Sequence, residues 1–364
     1  MRKRINSLYI HIPFCSHICR YCDFTKLLYN DNFSNKYINA LFYELDSYNI
    51  SKMSTIYIGG GTPTSYNDEL FELLLNKVSK YANKNCEFTI EANVENLTKE
   101  KLLLMKKYGV NRLSIGIEST DDKILKSIGR NHTFDDAKKV VNLSKKIGFD
   151  NINIDLIFGF PNQSIEQLKI DLNNFIKLDI DHISIYSLIV DKGTMFFNSG
   201  VKEQNADEAR IFYDEILSFL RTHGYERYEI SNFARNKKYS KHNLTYWKDN
   251  YYIGVGLGAS GYLFDKRYTN TKSLKKYLNH KFIDFSEHID DKLHLEEFLL
   301  TNLRLEKGFK RKDFINNFKI DFVDMFKDKI AKLEKNNLII INDDTIKLTD
   351  NGLIIMDYIL RELL

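Results

Sequence analysis

The chain is short of the residues that usually brace or punctuate a fold. Its 364 residues include four cysteines, three prolines and one tryptophan. The basic start, Met1-Arg2-Lys3-Arg4-Ile5-Asn6, lacks the apolar core of a signal peptide. Without export, so few cysteines exclude a disulfide-braced secreted scaffold. No apolar run reaches the ~18 residues that would mark a membrane-spanning helix. The formal charge of +4 comes with no long basic run, which removes the case for a nucleic-acid partner. The expected compartment is a reducing cytoplasm. The length suits one large barrel-type domain with a small appendage.

What is present is concentrated. Cys15, Cys19 and Cys22 fall within eight residues at the spacing C-x3-C-x2-C, just after the apolar, strand-like run Leu8–Phe14. Three thiols in one loop can ligate three irons of a [4Fe–4S] cluster and leave the fourth iron without a protein ligand. A structural zinc site takes four ligands. The remaining cysteine, Cys86, lies in a different strand-like segment, and His17 would crowd the loop. The spacing therefore reads as an iron–sulfur site with an open iron, where a small molecule can coordinate. His11 and His17 read as residues behind the thiols or at the surface.

Strand-like and helix-like segments alternate along the first half. Strands are expected at Ser7–Pro13, Thr55–Ile58, Glu87–Ala92, Arg112–Glu118, Ile152–Phe158 and His182–Ile189. Helices are expected at Asn35–Tyr48, Glu69–Tyr81, Lys99–Lys107, Phe134–Ile147 and Ile165–Leu178. This βα alternation predicts an α/β fold with a parallel sheet and right-handed crossovers, a partial TIM-type (β/α)6 barrel over residues 1–200. A doubly wound open sheet is the alternative. The three prolines, Pro13, Pro63 and Pro161, each follow the end of a strand, the side on which barrels carry their active sites. Residues 201–290 read as a barrel extension with a helix at Ala206–Leu220 and apolar segments Tyr225–Phe233 and Tyr252–Tyr262. Residues 291–364 read as a small winged-helix-like unit. Its helices are expected at Leu293–Leu305, Arg311–Phe318 and Phe322–Lys335, followed by a hairpin that turns at Asn342-Asp343-Asp344.

Several residues outside the thiol loop carry chemistry. Gly59-Gly60-Gly61-Thr62 follows a strand and offers bare backbone to a ligand. Glu91, Glu118 and Asp155 lie in or at the end of strands, where an inward carboxylate is costly unless paired or bound to a ligand. With Arg130 they suit ribose hydroxyls, an amino group and a carboxylate, or equally an ion-pair network inside the barrel. The segment His242-Asn243-Leu244-Thr245-Tyr246-Trp247 places one histidine among aromatic residues. An imidazole there could be an axial heme ligand or a hydrogen-bonded core residue.

Tyr9-Ile10-His11-Ile12-Pro13-Phe14-Cys15, the C-x3-C-x2-C loop and Gly59-Gly60-Gly61-Thr62-Pro63-Thr64 together resemble the radical S-adenosylmethionine (SAM) enzymes. Within them the chain resembles the oxygen-independent coproporphyrinogen III oxidase group along nearly its whole length. The resemblance implies that Cys15, Cys19 and Cys22 hold the [4Fe–4S] cluster. It implies SAM contacts from Tyr9, Tyr21, Gly60, Gly61, Thr62, Glu91, Arg130 and Asp155, and from Glu118, where the group usually has glutamine. The oxidases of the group carry a fourth cysteine two residues after the third, whereas Asp23-Phe24 follow Cys22 here. That departure and H-N-x-x-Y-W at 242–247 are similar to the heme-chaperone branch, which implies heme binding at His242. Such a chaperone delivers heme to an acceptor protein, for example a membrane-associated respiratory protein, with the chaperone itself peripheral to the membrane. The alternative function is the oxidase, a radical SAM oxidative decarboxylase. A radical SAM enzyme for an unrelated substrate ranks third.

Overall fold

The computed structural model describes residues 5–364. Strands and helices alternate as β1 (Ser7–Ile12), α1 (Asp31–Ser47), β2 (Met53–Gly60), α2 (Asp68–Ser79), β3 (Ala82–Asn93), α3 (Lys99–Lys107) and β4 (Arg112–Glu118). They continue as α4 (Phe134–Ile147), β5 (Ile152–Phe158), α5 (Ile165–Lys177) and β6 (His182–Ser187). The helices start where the chain supplies a cap. Asn30, Asn67, Thr98, Thr133 and Ser164 each accept a backbone N–H of the first turn. At Thr133 the bond is reciprocated by Asp136 in a capping box.

Alternation along each strand separates two environments. Leu8, Ile10 and Ile12 of β1, Ile56 and Ile58 of β2, and Leu113, Ile115 and Ile117 of β4 are buried in one apolar core. The residues between them face the barrel interior, which is polar. The six expected strands form one parallel run, as predicted.

The sheet is wider than predicted, with nine strands. After α6 (Ala206–Thr222), strands β7 (Glu226–Glu229) and β8 (Asn232–Ala234) form an antiparallel hairpin on the β6 edge. After α7 (Lys241–Trp247), β9 (Ile253–Val255) runs parallel to β1, with Leu8 opposite Ile253. Close packing explains a glycine here: a Cβ on Gly254 would lie 1.8 Å from the Ser260 carbonyl oxygen. Residues 201–290 thus share the barrel's core, which runs from Leu8 to Tyr277.

A second core, from Phe298 to Leu363, belongs to the C-terminal unit. It surrounds a three-stranded sheet in the order Phe309–Lys310, Thr345–Leu348, Ile339–Ile341. The helix expected over Phe322–Lys335 is split into Phe322–Met325 and Lys327–Lys335. Phe326 leaves helical geometry at φ −118° and packs its ring 5.0 Å from that of Phe322. The two units are joined through the buried Arg227, which pairs with Glu306 and Asp350, while Arg221 grips Asp350 at 2.9 and 3.0 Å.

Candidate functional site

The thiol loop is closed by its own backbone. Phe14–Cys15 pairs with Leu27–Leu28, and Leu27 and Tyr29 donate to the carbonyls of Pro13 and Cys15 at 2.7 and 2.8 Å. The Arg20 N–H donates to the Ile128 carbonyl and the Arg20 carbonyl accepts from the Phe196 N–H, at 2.9 and 3.0 Å, pinning the loop to the barrel rim. All three thiols line one cavity of about 420 Å³ at the carboxyl ends of the strands. Burial pushes their pKa values up, that of Cys22 to about 11, so each keeps its proton until a metal replaces it. Cys86 is buried elsewhere and does not line the cavity. Among the described residues no three His, Cys, Asp or Glu side chains converge on a point that could hold a single metal ion. Three free thiols from one short loop at one cavity are the donor set that suits a soft iron–sulfur cluster with one iron left open.

The other walls are cross-linked. Glu91 accepts from the Tyr57 hydroxyl at 2.7 Å and from the Gly60 N–H at 2.9 Å, which fixes the turn after β2. Gly60 has φ +107°, and a Cβ there would lie 2.3 Å from the His11 ring, so position 60 has to be glycine. Thr62 accepts from Asn93 at 3.0 Å. Arg130 donates to Asn93 at 2.6 Å, to the Tyr21 hydroxyl at 3.1 Å, and to Glu118 in a buried ion pair. The charge that Glu118 carries in place of a glutamine is therefore matched by Arg130. Asp155 accepts from Asn153 at 2.9 Å. Burial, and then the Glu118 charge, raise its pKa to about 7.

The structure brings Cys15, Cys19, Cys22, Tyr21, Gly60, Gly61, Thr62, Glu91, Glu118, Arg130 and Asp155 to this one cavity. Tyr9, expected as a SAM contact, does not line it. Its hydroxyl is tied to Nδ1 of His11 at 3.0 Å, one layer behind the glycine turn. His11 is no surface residue: it is buried, bonded to the Thr25 carbonyl at 2.8 Å, and burial lowers its pKa to about 4. His17 does line the cavity, with Nε2 3.9 Å from the Cys19 sulfur.

His242 does not line the thiol cavity and is 1 % exposed. Nδ1 bonds Thr55 Oγ1 at 2.8 Å and Nε2 bonds the Tyr246 hydroxyl at 2.7 Å, so both ring nitrogens are occupied. Its imidazole reaches heme iron only by giving up one of those bonds. The sequence reading missed Asn93, Arg112, Ser114 and Asn153, all of which line the cavity. Their signal was the two-residue period: Asn93 follows Glu91, Arg112 and Ser114 precede Glu118 in even steps, and Asn153 precedes Asp155.

Comparison with known proteins decides the family. Residues 9–173 match the radical SAM superfamily and residues 289–355 match the HemN C-terminal domain. The heme chaperone HemW of Lactococcus lactis is 38 % identical over 97 % of this chain and 95 % of its own length. The chain belongs to the radical SAM superfamily, in its HemW group. HemW of Bacillus subtilis is 37 % identical over 96 % of both chains, and HemW of Escherichia coli 31 % over 85 % of both. In fold, this HemW-group chain matches the Escherichia coli coproporphyrinogen III oxidase HemN, with a TM-score of 0.86 over 99 % of this chain and 90 % of that one, at 22 % identity. The α/β radical SAM architecture and its C-terminal domain are thereby established. No described helix is long and apolar enough to cross a membrane.

Proposed function

We propose that the chain is a heme chaperone: it binds heme, carries a SAM-ligated [4Fe–4S] cluster, and passes heme to an acceptor protein near the membrane. The observation that carries this reading is near-full-length similarity to relatives named heme chaperone HemW. Cys15, Cys19 and Cys22 would hold the cluster, which when bound supplies an open iron for SAM and a single electron. Around it, Arg130 and Asp155 offer a cation and a titrating carboxyl for the charged ends of SAM, and Glu91 holds the glycine turn against which SAM would lie. Asp23-Phe24 stand where the oxidases have their fourth cysteine, which favours carriage over oxidation. Heme ligation by His242 would require release of the Tyr246 hydroxyl.

The test is anaerobic reconstitution followed by heme titration alongside an assay for coproporphyrinogen III turnover. Stoichiometric heme uptake without turnover supports the proposal. Conversion of the propionates at enzymatic rates would make the chain an oxidase instead.

A further inference from the structure

A second cavity, of about 600 Å³, lies between the barrel's β7 edge and the C-terminal unit. Its size is within the ~300–1,000 Å³ of ordinary small-molecule sites. Resting on the heme-chaperone reading, we propose that heme sits here, with Tyr239 as the iron ligand and Lys248 and Lys307 taking the two propionates.

One wall is helix α7, which carries the H-N-x-x-Y-W segment. Leu244 lines the cavity from the face of that helix opposite His242, because two residues along a helix turn through about 200°, and Lys248 lines it from the cap that ends the helix. His242 therefore shapes the wall from behind by anchoring α7 to Thr55 through its ring and to Glu87 through its backbone N–H. Tyr225 and Tyr228 supply flat apolar surface, and the Tyr239 ring packs 4.7 Å from that of Tyr228. Two of these phenols are already committed. Tyr225 donates to the Ile180 carbonyl, and Tyr228 is held by His182 at 2.8 Å and by the Ser240 N–H at 3.2 Å. The Tyr239 hydroxyl is the one at the cavity with an exposed partner, Glu226, at 2.6 Å.

Tyrosine is an established ligand of heme iron. Forming the ferric iron–phenolate bond breaks the phenol O–H, and the proton leaves to Glu226 and from there to solvent. The charge pattern suits a dianionic porphyrin. Arg227 and Arg221 are neutralised by Glu306 and Asp350. Lys248 and Lys307 are exposed at the cavity and make no ion pair among the described residues.

Ferric heme is titrated into the full-length, anaerobically reconstituted chain and followed by Soret absorbance and resonance Raman. Cluster iron and circular dichroism serve as the control for folding. Tyr239→Phe should lose the iron–phenolate signature. Lys248→Glu/Lys307→Glu, changed at exposed positions, and Leu244→Trp, which fills the cavity, should each weaken binding by about tenfold or more. If the unaltered chain takes up heme and all three variants match it in spectrum and affinity, this site assignment is overturned while the heme-chaperone reading survives. If the unaltered chain takes up no heme, both fall together.

Discussion

The two cavities are built in opposite ways. The thiol-lined one stands on a single sheet, and hydrogen bonds hold several of its polar walls before any ligand arrives: Arg130 is held by Asn93, Tyr21 and Glu118, and Glu91 by Tyr57 and Gly60. The tyrosine-lined one borrows its walls from two units with separate cores, and two of its cations make no ion pair among the described residues. A rigid, pre-linked wall costs little reorganisation when a resident cofactor binds. A wall shared by two packed units can open as they shift, which suits a cargo that has to leave. On the proposed assignments, the chain keeps its cofactor in the first and its cargo in the second.

The largest expected effect separates the two outright. Cys19→Ala should drop iron uptake from about four atoms per chain to below one, since the cluster loses one of three protein ligands. Heme titration at the second cavity should stay unchanged. Iron and sulfide analysis beside the heme titration reads both, and a joint loss would merge the cavities into one site. Next comes the internal linkage of the first cavity. Arg130→Met leaves Glu118 buried without its partner, which should cost about 3–5 kcal/mol by urea unfolding. Adding Glu118→Met should recover most of that loss. A cost under 1 kcal/mol for Arg130→Met alone would show that the wall is not held by this pair.

How far this was legible from the sequence depends on how local each pattern is. The βα alternation and the three-thiol loop are read within a few residues, and the structure keeps them. Partnerships across long separations could not be read: β9 joins β1 across more than two hundred residues through Leu8 and Ile253, and nothing in Ile253–Val255 announces its neighbour. Burial of His242 is similar. Its segment is amphipathic enough to present either face, and only the docking of α7 against Thr55 and Glu87 decides which one goes inside. An ion pair within the barrel was one of the two readings open for Arg130, but not which of the three carboxylates it takes, Glu118 ahead of Glu91 and Asp155.

A pH titration tests whether the first cavity waits for a ligand. Below the unfolded pKa of Asp155, near 3.8, both states hold its proton and there is no cost. Between there and about 7 the unfolded chain releases the proton while the folded chain keeps it, so stability falls as pH rises; above 7 the full cost remains. Asp155→Asn should remove this slope and stabilise the ligand-free chain at pH 8 by about 4 kcal/mol at most. Urea midpoints at pH 4 and pH 8 measure it. Equal slopes in both proteins would mean that another group carries the dependence.

The smallest effect falls on the seam that frames the second cavity. Asp350 is about two-fifths exposed and ties Arg221 and the buried Arg227 to the C-terminal unit. Solvent screens its pairs, so Asp350→Asn should cost only about 1 kcal/mol of global stability. Its local consequence is larger in kind, because Arg227 keeps Glu306 as its only carboxylate and the two units lose a clasp. Proteolysis in the connection ahead of Asp291–Asn302 should quicken, and heme should leave faster, while cluster iron stays constant. If heme dissociation is unchanged although cleavage is faster, the cargo does not depend on the seam, and the contrast between a fixed cavity and an adjustable one fails at that point.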